Sequence, residues 1–228
     1  MRIIDIRLAA TSAMFVAASL AATGAAFAQV PPRTRGTITA VSGSEATLRT
    51  AMGKVTIKLA DDTGYVGAKK SSLDDVKQGS FIGTAATPAA DGTLRALEVA
   101  VFPESMRGAG EGNYAWDLGK AGSMTNGTVS SMTNGTVSKM SGGSASGSSM
   151  TNGTVGSKTA HGHSLMVDYK GGQKTIMVPD SVPVVALEPG DKSLLKAGAK
   201  VVVFGPVNGT TVDAKRIIVG EDGVKPPM

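Results

Sequence analysis

Residues 46–59 read Ala46-Thr47-Leu48-Arg49-Thr50-Ala51-Met52-Gly53-Lys54-Val55-Thr56-Ile57-Lys58-Leu59. Val55, Ile57 and Leu59 fall on one side of an extended chain, and Lys54, Thr56 and Lys58 on the other. This alternation describes a half-buried strand. Met52-Gly53 is the turn that joins it to the preceding strand, with Gly supplying the positive φ of a tight hairpin. The stretch sets the fold class: a β protein built of hairpins.

The same order recurs downstream. Arg35-Gly36-Thr37-Ile38 is matched by Asn152-Gly153-Thr154-Val155, and the hairpin by Leu165 to Tyr169, a turn at Lys170-Gly171-Gly172, and Lys174 to Val178. Asp75-Val76-Lys77-Gln78-Gly79 is matched by Leu194-Leu195-Lys196-Ala197-Gly198, each predicted as a short helix or turn. Ser71 or Ser72 and Ser193 stand at the capping positions. Fourth strands follow at 80–87 and 199–204. Asp91-Gly92-Thr93 and Asn208-Gly209-Thr210 then turn into fifth strands at 94–101 and 212–219.

Each unit reads strand, strand, strand, short helix, strand, strand. The expectation is an all-β protein of two tandem five-stranded OB-like barrels, 33–104 and 149–221. Two open sandwich-like sheets are the alternative. Residues 105–148 form the connector and 222–228 a tail.

The connector holds Arg107, Tyr114 and Trp116, the only tryptophan. Trp116 reads either as a plug packed on a barrel or as a stacking platform for a ligand or partner. Ser-Met-Thr-Asn-Gly-Thr-Val occurs three times, at 123–129, 131–137 and 149–155. The third copy runs into the second unit and is expected to be its first strand. The first two look surplus, so 120–148 is expected to be a mobile linker. A competing reading is that the copies exchange at one strand position.

The chain begins with Arg2 and Arg7, an apolar run from Leu8 to Leu20, and Ala26-Phe27-Ala28. This is the pattern of a secretory signal peptide cleaved after Ala28; an uncleaved anchor is the alternative. No Cys follows, so no lipoprotein anchor is expected, and Arg2 and Arg7 are not adjacent as a twin-arginine signal requires. The predicted location is periplasmic or secreted. No later stretch is long and apolar enough to cross a membrane as a helix, so no channel or permease is expected. Removing 28 of the 228 residues leaves 200, enough for two small domains. There is no cysteine, hence no disulfide and no thiol chemistry. The net charge of +5 is spread along the chain, and aromatic residues are few, a poor match to nucleic acid.

The motifs Arg35-Gly36-Thr37-Ile38, Asp75-Val76-Lys77-Gln78-Gly79, Asp91 to Val99 and Val101-Phe102-Pro103-Glu104 resemble a family of exported bacterial OB-like β-barrel proteins, the domain of unknown function 5666. Met106 to Gly112, Trp116-Asp117-Leu118 and Met150-Thr151-Asn152 resemble the layout of secreted proteobacterial relatives. The resemblance implies a fold and a layout but no chemistry, and the triplicated heptapeptide departs from it.

No catalytic constellation is legible. There is no nucleophile elbow and no phosphate loop. Asp61-Asp62 and Asp74-Asp75 are neighbours that an extended chain points apart. The expectation is no enzyme and no cofactor. His161 and His163, with Met166 nearby, are candidate ligands for Cu or Ni, and Met124, Met132, Met140 and Met150 add thioethers. The expected function is a binding or structural role in the cell envelope. A weak periplasmic metal binder and an envelope glycan binder are the alternatives. Trp116, Tyr114 and Arg107 are the candidate contacts for an envelope protein or glycan.

Overall fold

The computed structural model describes residues 32–89, 93–115, 122–136 and 161–227. The expected signal peptide, Trp116 and the third heptapeptide lie outside them. The described chain is all β with 3-10 turns; it has no α-helix among the described residues, and the two short helices expected are the 3-10 turns Leu73–Asp75 and Lys192–Leu194.

A five-stranded mixed barrel is built from both ends of the chain. Its staves are β1 (Arg33–Ser42), β2 (Glu45–Thr50), β3 (Gly53–Ser71), β11 (Lys200–Phe204) and β13 (Thr211–Gly220). Around the ring, β1 pairs β2, β2 pairs β3, β3 pairs β13, β13 pairs β11 and β11 pairs β1. Every pairing is antiparallel except β3 with β13. The alternation seen in the sequence fills the interior: Ile38, Leu48, Ile57, Leu59, Val201, Val203, Val212, Ile217 and Val219 form one buried cluster, with Leu195 at its edge. Truncating a side chain such as Ile57 or Ile217, neither of which has exposed surface, would cost about 2–5 kcal/mol.

The expected tandem arrangement is corrected by these partners. Strands of the first unit close with β11 and β13 of the second, not with their own fourth and fifth strands. The reason is β3. It is 19 residues long, and at ~3.3 Å per residue it extends far past the other staves. Where a turn would have returned the chain, Asp61 and Asp62 sit in an exposed irregularity opposite the register shift of β13. Thr63 stitches it: Ala60 N–H donates to Thr63 Oγ1 at 2.9 Å, and the hydroxyl donates to Ala214 O at 2.9 Å. The strand then continues and delivers the chain elsewhere.

Elsewhere is a second group of strands: β4 (Phe81–Pro88), β5 (Leu94–Val101), β7 (Ser123–Thr136), β8 (His161–Tyr169) and β9 (Gly172–Pro179). They are hydrogen-bonded in the order β5, β4, β7, β8, β9, and β5 meets β9 in a short parallel pairing. Val99, Val129, Leu165, Val167, Ile176 and Val178 lie in its core. β6 (Gly112–Ala115) pairs β7, and β12 (Val207–Asn208) pairs β13. β10 (Val184–Gly190) joins the groups, antiparallel to the far half of β3 and parallel to β5.

The expectation of a linker over 120–148 is corrected for 123–136, which is β7. The first heptapeptide and residues 131–136 of the second are therefore strand. Thr125, Gly127 and Val129 alternate inward in the first copy, and the chain shifts register between Val129 and Ser131 before the second. Gly127 is required there, because a β-carbon would stand 2.2 Å from Asp168 O.

The 3-10 turns at Leu73–Asp75 and Lys192–Leu194 are held by carboxylates. Ser71 Oγ and Ser72 N–H donate to Asp75 Oδ2 at 2.7 and 3.1 Å. Ser193 N–H donates to Asp191 Oδ1 at 2.7 Å. Both carboxyls are held below the usual Asp range, Asp75 first by the Ser71 hydroxyl and Asp191 first by the Ser193 hydroxyl. A depressed folded-state pKa stabilises the fold above the unfolded pKa, and that contribution is lost as pH falls through the folded value. Urea midpoints measured between neutral pH and pH 3 should fall. D75N and D191N should be less stable at neutral pH and fall less steeply.

The shared barrel also sets how the chain tolerates cutting. A protease site engineered into residues 137–160 should, once cleaved, leave two fragments that co-elute in native buffer and separate only in denaturant. Each fragment alone should lack cooperative unfolding.

Candidate functional site

The side chains of the barrel wall that point away from its core define the site. In register, Arg33 of β1 lies opposite Phe204 of β11, which lies opposite Arg216 of β13. Directly opposed residues share a face, so two arginines flank one phenylalanine in a row. Two positions on, Arg35, Val202 and Ile218 form the next row. The intervening Val201, Val203, Ile217 and Val219 point into the barrel, which puts both rows on its outside. Val66 and Ala68, from the far half of β3, extend this face and pack with Ala100, Val185, Leu187 and Ile218.

Between this face and the second strand group lies a cavity of ≈ 390 Å³. The barrel supplies Arg33, Phe204, Arg216 and Ile218. Phe102, Met106, Leu187 and Ala100 face them, and Met124 and Tyr114 close the side. The Arg33 guanidinium lies 5.6 Å over the Phe204 ring, and its Nη1 approaches Met124 Sδ at 2.8 Å. Phe102 stands edge-on to Phe81 at 5.3 Å. Glu98 of β5 is the carboxylate of the lining.

Asn126, from the first heptapeptide, fastens the loop beside the cavity. Its Nδ2 donates to Gly110 O at 3.0 Å and Ala109 O at 3.5 Å. Its Oδ1 is buried against Gly83, where a β-carbon would come within 2.6 Å. Gly83 thus allows β4 and β7 to approach at this point.

Of the contact candidates, Tyr114 is half-buried at the cavity and donates its hydroxyl to Glu111 O at 2.6 Å. Arg107 is engaged in fastening. It grips Glu104 with Nε at 2.5 Å and Nη2 at 2.6 Å, donates to Gly79 O at 2.9 Å, and reaches Thr128 Oγ1 at 3.3 Å. The pairing holds the Glu104 carboxyl below and the Arg107 guanidinium above their usual ranges. Trp116 lies outside the described residues.

The metal candidates diverge. His163 shares the inward parity of Leu165 and Val167 on β8, whereas Met166 has the opposite parity. One ion therefore cannot take both. His163 Nδ1 is buried and has no hydrogen-bond partner among the described residues. It borders a second depression, of ≈ 920 Å³, with Asp180, Val182 and Leu73. The backbone of His161 pairs with Thr136, and its side chain is outside the description. Among the described residues no three His, Asp or Glu side chains gather as a metal site.

Sequence reasoning missed Arg33, Phe204 and Arg216, and read Met124 only as a thioether for a metal. The signal for the arginine row lies in cross-strand register, which a single sequence does not carry, and Met124 had been placed in a linker. Set beside protein-family models, curated proteins and solved structures, the chain matches none, so no family is identified and the resemblance rests on the quoted motifs alone.

Proposed function

We propose that this is an exported binding protein of the cell envelope whose ligand is a small molecule held in the cavity between the barrel and the second strand group. The observation that carries the reading is the cavity: ≈ 390 Å³, walled by Phe102, Met106, Leu187, Phe204 and Ile218, with a few charged groups at fixed positions. That size and composition match a small-molecule site. Among the described residues its lining includes one carboxylate, Glu98, and no histidine, which favours binding over acid–base catalysis.

Duplication is part of the proposal. The parallel pairing of β3 with β13 has a counterpart in the parallel pairing of β5 with β9 and β10. Gly79 and Gly198 end equivalent turns at φ +88° and +90°. We read these as two copies of one five-stranded OB-like unit that have exchanged their last two strands. The second group is then a barrel in its own right.

A weak Cu or Ni site at His163, with His161, remains the second reading, on the single observation of the buried Nδ1. Metal analysis of untagged protein and of H163A tests it: a stoichiometric ion lost in the variant supports it, and an ion-free wild type removes it.

Two results would test the main reading. A neutral naphthylamine dye should bind saturably at one site per chain, with a rise in fluorescence. Ala109→Phe, which places a ring at the cavity wall, should weaken binding at least about tenfold while unfolding at a similar urea concentration. An absence of saturable binding by the wild type would overturn the reading. Mass spectrometry of the exported protein should find Gln29 as its first residue, and a chain retaining Met1 would contradict cleavage.

A further inference from the structure

We propose that residues 224–227 are a strap closed over the cavity, which lifts about Asp222 and Gly223 to admit a ligand; this rests on the cavity being the binding site. The segment after β13 reads Glu221-Asp222-Gly223-Val224-Lys225-Pro226-Pro227. It doubles back on the end of β13 rather than trailing into solvent. A β-carbon on Gly220 would stand 1.9 Å from Val224 O. Beyond the reversal, Pro226 and Pro227 are buried.

The first support is where the strap lies. Val224 packs on the cluster of Val66, Ala100, Leu187 and Ile218, at the joint between the barrel and the second strand group. Pro227 lines the cavity of ≈ 390 Å³ and also the depression of ≈ 920 Å³. A residue that lines two spaces stands in the wall between them. When the strap lifts, the two spaces join at that wall. Val224 and the two prolines cover apolar surface that the body of a ligand would also bury, so strap and ligand compete for it.

The second support is the hinge. Asp222 and Gly223 have φ of +48° and +81°, a region that Gly and Asp adopt more readily than other residues. A β-carbon on Gly223 would meet nothing within 4 Å, so only its backbone angle is special. Hydrogen bonds hold this end of the strap: Val224 N–H donates to Glu221 O at 2.9 Å, and Lys200 Nζ donates to Gly223 O at 3.0 Å. Glu221 N–H donates to Ala68 O at 3.0 Å, which ties the fixed side of the hinge to β3. Pro226 and Pro227 have no N–H to give a neighbouring strand, so neither donates to a ladder that lifting would break. Their fixed φ keeps the lifted strap extended and lowers the ordering cost of its return.

The test is binding of the neutral dye by the whole chain and by variants of the hinge. A strap that must open lowers the apparent affinity by the fraction of molecules in which it is open. G223A and D222V leave the side chains of residues 224–227 in place and strain only the closed hinge. Each should tighten dye binding about fivefold or more, the penalty of the left-handed region for an ordinary side chain. Each should unfold at a urea concentration close to that of the wild type. D222N, which tolerates the same φ, should bind like the wild type. V224S, which weakens the anchor, should act like G223A. Saturating dye should speed hydrogen exchange at the Val224 amide.

Unchanged or weaker dye binding in G223A, D222V and V224S, with the wild type still binding, would make the segment a fixed wall; that would overturn the strap and spare the cavity. So would unchanged or slower exchange at Val224 in the dye complex. No saturable binding by the wild type would remove the cavity reading and the strap with it.

Discussion

A single strand that fails to turn organises this molecule. The near half of β3 is a barrel stave between β2 and β13, and its far half is paired with β10. Both halves are hydrogen-bonded along their length, so the strand behaves as a rigid rod rather than a hinge. It fixes the distance between the barrel and the second group of strands, and the cavity is the space left between them. The exposed ion pair of Lys69 with Glu188 at 2.6 Å decorates this rod; in water such a pair is worth little. The backbone pairing and the buried Val66, Ala68 and Leu187 carry the joint.

Much of the local structure was legible. The hairpins at Gly53 and Gly171 follow from alternation and turn residues, which are local properties. The fifth strand falls at Leu94–Val101 and Ser72 caps the first turn as expected, whereas the second turn is capped by Asp191 and not by Ser193, which lies inside it. Partner choice was not legible. The fourth and fifth strands of either unit carry the same alternation, and either pair could complete the ring next to β3. The decision lies in whether residues 60–64 turn or continue. Asp61-Asp62 suggests a turn by composition, but Thr63 ties the irregularity to Ala214 O, 151 residues away. Composition also misplaced β7. Ser-Met-Thr-Asn-Gly-Thr-Val looks like low-complexity linker, yet its Gly127 lets β7 and β8 approach closely and its Asn126 fits against Gly83 of β4.

The candidate site was invisible for a related reason. Arg33 and Arg216 are 183 positions apart, and nothing local to either marks it as more than a surface charge. They become neighbours through β11, whose Phe204 lies opposite both. Sites assembled across strand register from distant segments leave no spacing motif. The residues that did look chemical in the sequence, His163 and Met166, lie close in the chain but are separated by the alternation of the strand that carries them.

The shared barrel also bears on how this chain can be made. Synthesis proceeds from the N-terminus, and β1, β2 and β3 emerge long before β11 and β13 exist. Three staves of a five-stave ring leave two hydrogen-bonding edges open and their apolar face uncovered. The ring can close only after β13, Thr211–Gly220, has left the ribosome. Until then the emerging chain holds three staves and no closed five-stave barrel.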